Sequence, residues 1–129
     1  MDVLETCLYA RNLQEVRDFY TRVVGLECFV WSPPRQAFFR TGQSVFLVFN
    51  PEETRDDDKL PPHGAEGSVH VCFRVASDDD VRAWKDRLEA RGYETFDAEW
   101  PYGISVYVYD PAGNLVEFAP AKIWGIEST

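Results

Sequence analysis

The sequence predicts an α+β fold made of two βαβββ modules, each a small mixed sheet with one helix against it. Three observations predict it. Residues 5–29 and 70–96 resemble one another at a nearly constant offset. Each copy reads as a strand, a helix and then short strands. The first strand of each copy has one apolar face and one face carrying polar, chemically useful side chains.

The repeat is visible residue by residue. Glu5 and His70, Cys7 and Cys72, Val16 and Val81, Arg17 and Arg82, and Phe19 and Trp84 are each separated by the same interval. After the helix the interval lengthens by two, so that Gly25 matches Gly92, Glu27 matches Glu94 and Phe29 matches Phe96. A series of this kind marks two copies of one supersecondary unit. The chain is thus expected to be one domain over 1–129, with module one at about 1–50, a linker at 51–67 and module two at about 68–121.

In module one, Val3–Ala10 is rich in strand-favouring residues. Asn12 is placed to cap a helix, with Glu15 three residues on as its capping-box partner. Val16, Phe19, Tyr20 and Val23 recur at helical spacing, and Gly25 is a natural stop. Strands are expected near Glu27–Trp31, Ala37–Arg40 and Ser44–Phe49, with a turn at Thr41–Gln43. In module two, Ser68–Val75 is a strand and Ser77 or Asp78 caps a helix. Val81, Trp84, Leu88 and the stem of Arg91 form the buried stripe of that helix, which Gly92 ends. Strands follow near Tyr93–Asp97, Ile104–Tyr109 and Leu115–Ala119, the last two joined by Asp110-Pro111-Ala112-Gly113-Asn114, a sequence of strong turn formers. The connector at 50–67, with three prolines and the run Asp56-Asp57-Asp58, reads as solvated chain.

Strand parity locates a site. Val69, Val71, Phe73 and Val75 form an apolar face, so Ser68, His70, Cys72 and Arg74 point the other way. Leu4, Thr6, Leu8 and Ala10 likewise oppose Val3, Glu5, Cys7 and Tyr9. Glu117 opposes Val116 and Phe118. Two acids and an imidazole therefore project from the faces that the helices leave open. Buried carboxylates need neutralising. A divalent cation would do so, since oxygen and nitrogen ligands suit several first-row metals. Open, wet faces, or pairing of Glu5 and Glu117 with Arg74 and Arg40, would do so equally.

Bulk properties exclude some classes. With 129 residues, 45% hydrophobic and 27% charged, the chain is long enough and apolar enough to bury a core. A formal net charge of −9 argues against nucleic acid and anionic membranes as partners. The opening residues lack a basic segment followed by an apolar run, so no signal peptide is expected. Cys7, Cys28 and Cys72 are odd in number and unpaired in pattern, which fits a cytoplasmic protein.

Three segments resemble the vicinal oxygen chelate superfamily, which includes glyoxalases, bleomycin-resistance proteins and extradiol dioxygenases. They are Glu5-Thr-Cys-Leu-Tyr-Ala-Arg-Asn-Leu with Phe19-Tyr20 and Val24-Gly25-Leu26; Gly67-Ser-Val-His70-Val-Cys-Phe-Arg-Val; and the closing Asp110-Pro-Ala-Gly-Asn114-Leu-Val-Glu117. The resemblance implies a glyoxalase-like cleft between the modules and a divalent metal (Zn, Ni, Mn, Co or Fe) on Glu5, His70 and Glu117. It implies a small-molecule substrate whose neighbouring oxygens the metal chelates, stabilising an enediolate or alkoxide in a lyase, isomerase or transferase. Glu5 and Glu117 are the candidate catalytic groups, as proton carriers. Arg40, Phe46, Cys7, Cys72, Arg74 and Tyr107 are candidate substrate contacts.

The sequence departs from the better-known members. Extradiol dioxygenases carry two His and one Glu, where this chain has Glu5 for the first His. Glyoxalase I enzymes have a fourth ligand, a Glu in the last strand of module one; counting from Gly42 gives Phe46 here, and neither Phe46 nor Val48 ligates a metal. Two alternatives therefore stand beside the metal-dependent enzyme: a ring-cleaving dioxygenase, or a metal-free drug-binding protein using Trp31, Trp100, Tyr102, Tyr107 and Trp124 with the negative charge. His63, in Pro61-Pro62-His63-Gly64, is expected in a loop or lid. The resemblance also implies a homodimer in which the modules of two chains pair, with Ile123, Trp124 and Ile126 covering the interface.

Overall fold

The structure is a computed structural model, and it describes residues 1–126. It divides into two compact units, Met1–Ser68 and a second beginning at Val69. Each contains one four-stranded mixed sheet, and the two sheets have the same topology.

In the first unit the order along the chain is β1 (Glu5–Tyr9), α1 (Leu13–Asp18), a π-helical turn (Phe19–Val24), β2 (Glu27–Ser32), β3 (Gln36–Thr41), β4 (Ser44–Phe49) and α2 (Pro51–Thr54). The strands lie in the order β1-β4-β3-β2, with β1 parallel to β4 and the other pairs antiparallel. The expected cap is present: the Asn12 side chain accepts a hydrogen bond from the Glu15 amide at 3.2 Å. Gly25 ends the helical stretch at φ 91°, a left-handed conformation that costs glycine nothing. The apolar residues of the helical stretch then meet the sheet. Tyr20 is fully buried and packs edge-on to Phe46 with centroids 4.8 Å apart, with Phe39 at 5.7 Å. Edge-to-face rings suit the aromatic quadrupole.

The second unit repeats this with β5 (His70–Val75), α3 (Asp78–Ala90), β6 (Phe96–Trp100), β7 (Gly103–Tyr109), β8 (Leu115–Pro120) and a 3-10 turn (Ala121–Trp124). Strand order is β5-β8-β7-β6, with β5 parallel to β8. Ser77 is the cap, accepting from the Asp80 amide. Val81 and Leu88 are buried, and Trp84 stacks on Phe118 at 4.3 Å. Burying each of the two aliphatic side chains stabilises the unit by about 1.5–3 kcal/mol. Arg91 is exposed at the helix C-cap and takes no part in the stripe.

Three local expectations shift. β1 begins at Glu5 and β5 at His70, where the paired registers start, although the Leu4 carbonyl still accepts the Val45 amide at 3.0 Å. β6 covers Phe96–Trp100, where Tyr93–Asp97 was expected. The chain leaves α3 through a turn in which Tyr93 N–H donates to the Leu88 carbonyl, and this delays the strand. The largest difference is the stretch at 50–67, which is folded against the first unit. Asn50 caps the short helix α2, Arg11 pairs with Glu52 at 2.9 Å and with Glu66 at 2.6 Å, and Arg35 pairs with Asp57 at 2.8 Å. Asp57, one of the acidic run, also accepts the Lys59 and Leu60 amides, so its role is to hold a turn.

Candidate functional site

The second unit builds its site around the middle of β8. Val116 and Phe118 are fully buried on the side that α3 covers, so Glu117 projects from the opposite side. Cys72 on β5 and Tyr107 on β7 are its register partners across the sheet. Glu117 is only 6% exposed, and both of its oxygens have partners. Oε1 lies 3.1 Å from His70 Nε2, and Oε2 accepts a 2.5 Å hydrogen bond from Ser105 Oγ. Trp100 Nε1 donates to that same Ser105 oxygen at 2.9 Å.

The His70 ring is fixed from behind. Its Nδ1 is 3.0 Å from the Leu115 carbonyl, which can only accept, so Nδ1 carries a proton. Nε2 then faces a carboxylate oxygen. An imidazolium donating on both sides would satisfy that contact, and so would a cation shared by the Nε2 lone pair and Oε1. A backbone carbonyl that sets the tautomer of a ligating histidine is the usual outer support of such metal sites. The donor chemistry is compatible with a first-row divalent metal, for which the second unit would offer His70 Nε2 and Glu117 Oε1. Among the described residues, no group of three His, Cys, Asp or Glu side chains is gathered as a metal would require.

The neighbouring groups stay neutral. Cys72 is exposed as a residue, yet desolvation of its sulfur, followed by the Glu117 charge, pushes the thiol up to about 12. Tyr107 is also raised, first by desolvation and then by Glu117. Its ring lies 6.0 Å from that of His70. Arg74 is exposed on β5 and makes no ion pair among the described residues. The closing turn that aims β8 is held by its own side chains. Asp110 Oδ1 accepts the Ala112 and Asn114 amides, and Asn114 Oδ1 accepts the Val69 amide just before β5. Gly113 sits at φ 85°, which the turn requires.

The first unit places its counterparts by the same register. Glu5 lies opposite Val45 as His70 lies opposite Leu115, and Cys7 lies opposite Leu47 as Cys72 lies opposite Glu117. The first-unit equivalent of Glu117 is thus Leu47. Phe46 belongs to the helix-side core, 1% exposed beneath Tyr20, and does not share the face of Glu5 and Cys7. Counting from Gly42 missed this because the second turn is differently spaced; strand pairing is the sounder guide. Glu5 is exposed. Cys7 is part-buried, and burial raises its thiol. Arg40 pairs with Glu27 at 3.3 Å and stacks over Phe29, so it does not neutralise Glu5. Trp31 lies under the Arg17 guanidinium, at 4.7 Å.

Ser105 carries no motif in the sequence, although the alternation along Ile104–Tyr109 puts it on the face of Tyr107. Trp100, one of the aromatics expected on a drug-binding surface, donates to Ser105. His63 was placed in a loop, and it is tied down: Tyr9 OH is 2.7 Å from His63 Nδ1, and Phe49 meets its ring edge-on at 4.8 Å. Desolvation, with Cys7 as the next cause, pushes the Tyr9 phenol up to about 12.

The fold is shared with known proteins. A lactoylglutathione lyase from Agrobacterium tumefaciens is 38% identical over 97% of both chains, with a TM-score of 0.94. A glyoxalase/bleomycin resistance protein/dioxygenase from Nocardioides shares the fold at 22% identity and TM-score 0.74, covering 100% of this chain and 88% of that one. An antibiotic-binding protein from a Streptomyces species does so at 20% identity and TM-score 0.66, covering 94% and 97%. Among curated proteins no significant match is found. The family model of the Glyoxalase/Bleomycin resistance protein/Dioxygenase superfamily matches residues 3–118, and with two βαβββ units and the closing Asp110–Glu117 segment in place, the chain belongs to that superfamily.

Proposed function

We propose that the protein is a divalent-metal-dependent enzyme of the glyoxalase type, acting on a small substrate with two neighbouring oxygens. The observation that carries this reading is the His70–Glu117 pair: one ring nitrogen is pinned by the Leu115 carbonyl, and the other faces a largely buried carboxylate oxygen. His70 and Glu117 would hold the ion. Glu5 is proposed as a further ligand because it occupies in the first sheet the register position of His70 in the second. When bound, the cation supplies Lewis acidity that stabilises negative charge developing on the substrate oxygens.

The remaining work belongs to the chain. Glu5 and Glu117 are the proposed proton carriers, as the carboxylates next to the proposed ion in each sheet. Tyr107, Cys72 and Cys7 keep their protons at neutral pH and would contact the substrate as uncharged groups. Arg74, which makes no ion pair among the described residues, is the proposed partner for an anionic substrate group, and Arg40 could serve only by leaving Glu27. The lyase class is favoured by the 38% identity to a lactoylglutathione lyase. A homodimer is part of the proposal, with the exposed Trp124 and Ile126 as candidate covered residues. So is a reducing, cytoplasmic setting, supported by three free cysteines. No helix among the described residues is long and apolar enough to cross a membrane.

Calorimetric titration with Ni2+, Zn2+, Mn2+, Co2+ and Fe2+ tests the reading. About one ion should bind per chain, and His70→Ala or Glu117→Ala should abolish most of the affinity. Turnover of lactoylglutathione, measured with and without the bound metal, tests the lyase class, and oxygen uptake with a catechol tests ring cleavage. A second reading is a metal-free protein that binds a cationic aromatic drug. It is favoured by the exposed aromatics Phe96, Tyr109, Trp100 and Tyr102 in the same unit as Glu117. Folded protein with no affinity for any of these metals, but saturable binding of bleomycin, would establish it instead.

A further inference from the structure

Ser105 is 2% exposed in the interior of β7, a polar side chain where the neighbouring buried positions Val106 and Val108 are aliphatic. A buried hydroxyl is costly unless both its proton and its lone pairs are used. Here the direction of each hydrogen bond is fixed by chemistry. Trp100 Nε1 has a proton and no lone pair, so it donates to Ser105 Oγ at 2.9 Å. The single hydroxyl proton of Ser105 is then directed to Glu117 Oε2, 2.5 Å away. The result is a one-way chain, indole to hydroxyl to carboxylate, ending on one oxygen of the residue that also faces His70.

We infer that Ser105, oriented by Trp100, is a positioning residue that holds Glu117 Oε2 away from the cation and leaves Oε1 as its only coordinating oxygen. This rests on the metal-binding reading above. The geometry supports it because the two carboxylate oxygens are already divided between partners: Oε1 toward His70 Nε2, Oε2 toward Ser105. A carboxylate with neither oxygen held can rotate or chelate with both, changing coordination number and charge distribution at the ion. A charge-assisted hydrogen bond to one oxygen prevents this.

The test uses the full chain and Co2+ as the probe, read by calorimetry for affinity and by visible d–d absorption for coordination. Four variants are compared with the unmodified protein: Ser105→Ala, Trp100→Phe, Val106→Ala and Glu117→Ala. Ser105→Ala should weaken Co2+ binding on the order of 10–100-fold and alter the d–d spectrum as Oε2 becomes free to coordinate. Trp100→Phe keeps a ring at a half-exposed position and removes only the N–H; it should shift the spectrum in the same direction with a smaller loss of affinity. Val106→Ala cuts a cavity in the same strand and should lower thermal stability without moving the spectrum, which separates positioning from general loosening. If Ser105→Ala does not fold, Trp100→Phe decides the question. Unchanged spectrum and affinity in the folded Ser105 or Trp100 variants would overturn the inference while leaving the metal reading intact. No Co2+ binding by the unmodified protein would overturn both, and loss of binding in Glu117→Ala with spectral change in the other two supports both.

Discussion

Cys72 and Glu117 stand directly opposite one another on the parallel strands β5 and β8, and burial of the sulfur, followed by the Glu117 charge, holds the thiol in its protonated form. With the thiol pushed up to about 12, Cys72 is almost wholly protonated at pH 8. In chelator-treated, folded protein, iodoacetamide should therefore modify Cys72 far more slowly than a peptide thiol. Glu117→Gln should accelerate the reaction, since it removes the charge that is the second cause of the shift. Peptide mass spectrometry over a time course reads both rates. Equal rates in the two proteins would remove Glu117 from the explanation.

The closing turn should be a point of fragility. Asn114 is 1% exposed, accepts the Val69 amide and donates from Nδ2 to Asp110. Asn114→Ala takes the side-chain acceptor from the Val69 amide and one donor from buried Asp110, at a cost of about 1–3 kcal/mol for each group left unsatisfied. Urea unfolding should show a lower midpoint for Asn114→Ala and for Asp110→Ala. A midpoint within error of the unmodified protein would mean that water replaces the lost partners.

Acid should unfold the protein through a few identifiable carboxylates. The Lys59 and Leu60 amides hold Asp57 below its ordinary value, with Arg35 adding to them. Lys122 does the same for Asp78, and Arg11 and Arg55 for Glu66. A depressed folded value means that the stabilisation is complete above the unfolded carboxylate range of about 4 and is lost as pH falls through the folded values. Thermal melts should therefore be flat from neutral pH to about 5 and fall below 4. Asp57→Asn should reduce that fall, measured as the difference in melting temperature between pH 6 and pH 3.

Tyr9 should control access to the segment after α2. Its hydroxyl is bonded to His63 Nδ1, and Lys59 nearby is exposed. Tyr9→Phe removes that bond while keeping the ring, so trypsin should cut after Lys59 severalfold faster. Equal cleavage rates would assign the hold on this segment to the Arg11–Glu66–Arg55 ion pairs instead.

The sequence was informative wherever a residue's role is local or periodic. Asn12 and Ser77 cap helices because a side-chain oxygen needs only the backbone a few residues ahead. Strand alternation placed Glu5, His70 and Glu117 on the faces away from the helices, and the structure keeps that parity. Roles that depend on partners distant in sequence were not legible. Ser105 meets Glu117 only because β7 and β8 align in one register, and Phe46 was assigned to the wrong face for want of that register. The stretch at 50–67 looked like free chain because its composition is that of a loop, while Arg11 and Arg35, which hold it, are far earlier in the sequence.

In both sheets the first strand is paired with the last, β1 with β4 and β5 with β8. A nascent unit therefore cannot satisfy the inner edge of its opening strand until its fourth strand has left the ribosome. Such long-range pairing raises contact order and slows closure. For the second unit the delay is longest where it matters most, because Val69 waits for Asn114 and His70 waits for Leu115 and Glu117. The first unit is fully synthesised before that interval begins, so the chain emerges with one sheet able to form while the other still exposes an unpaired strand. It is in that window, during synthesis, that β5 is open to pairing with another nascent chain, and overexpression at high translation rates should send this protein to inclusion bodies through that strand.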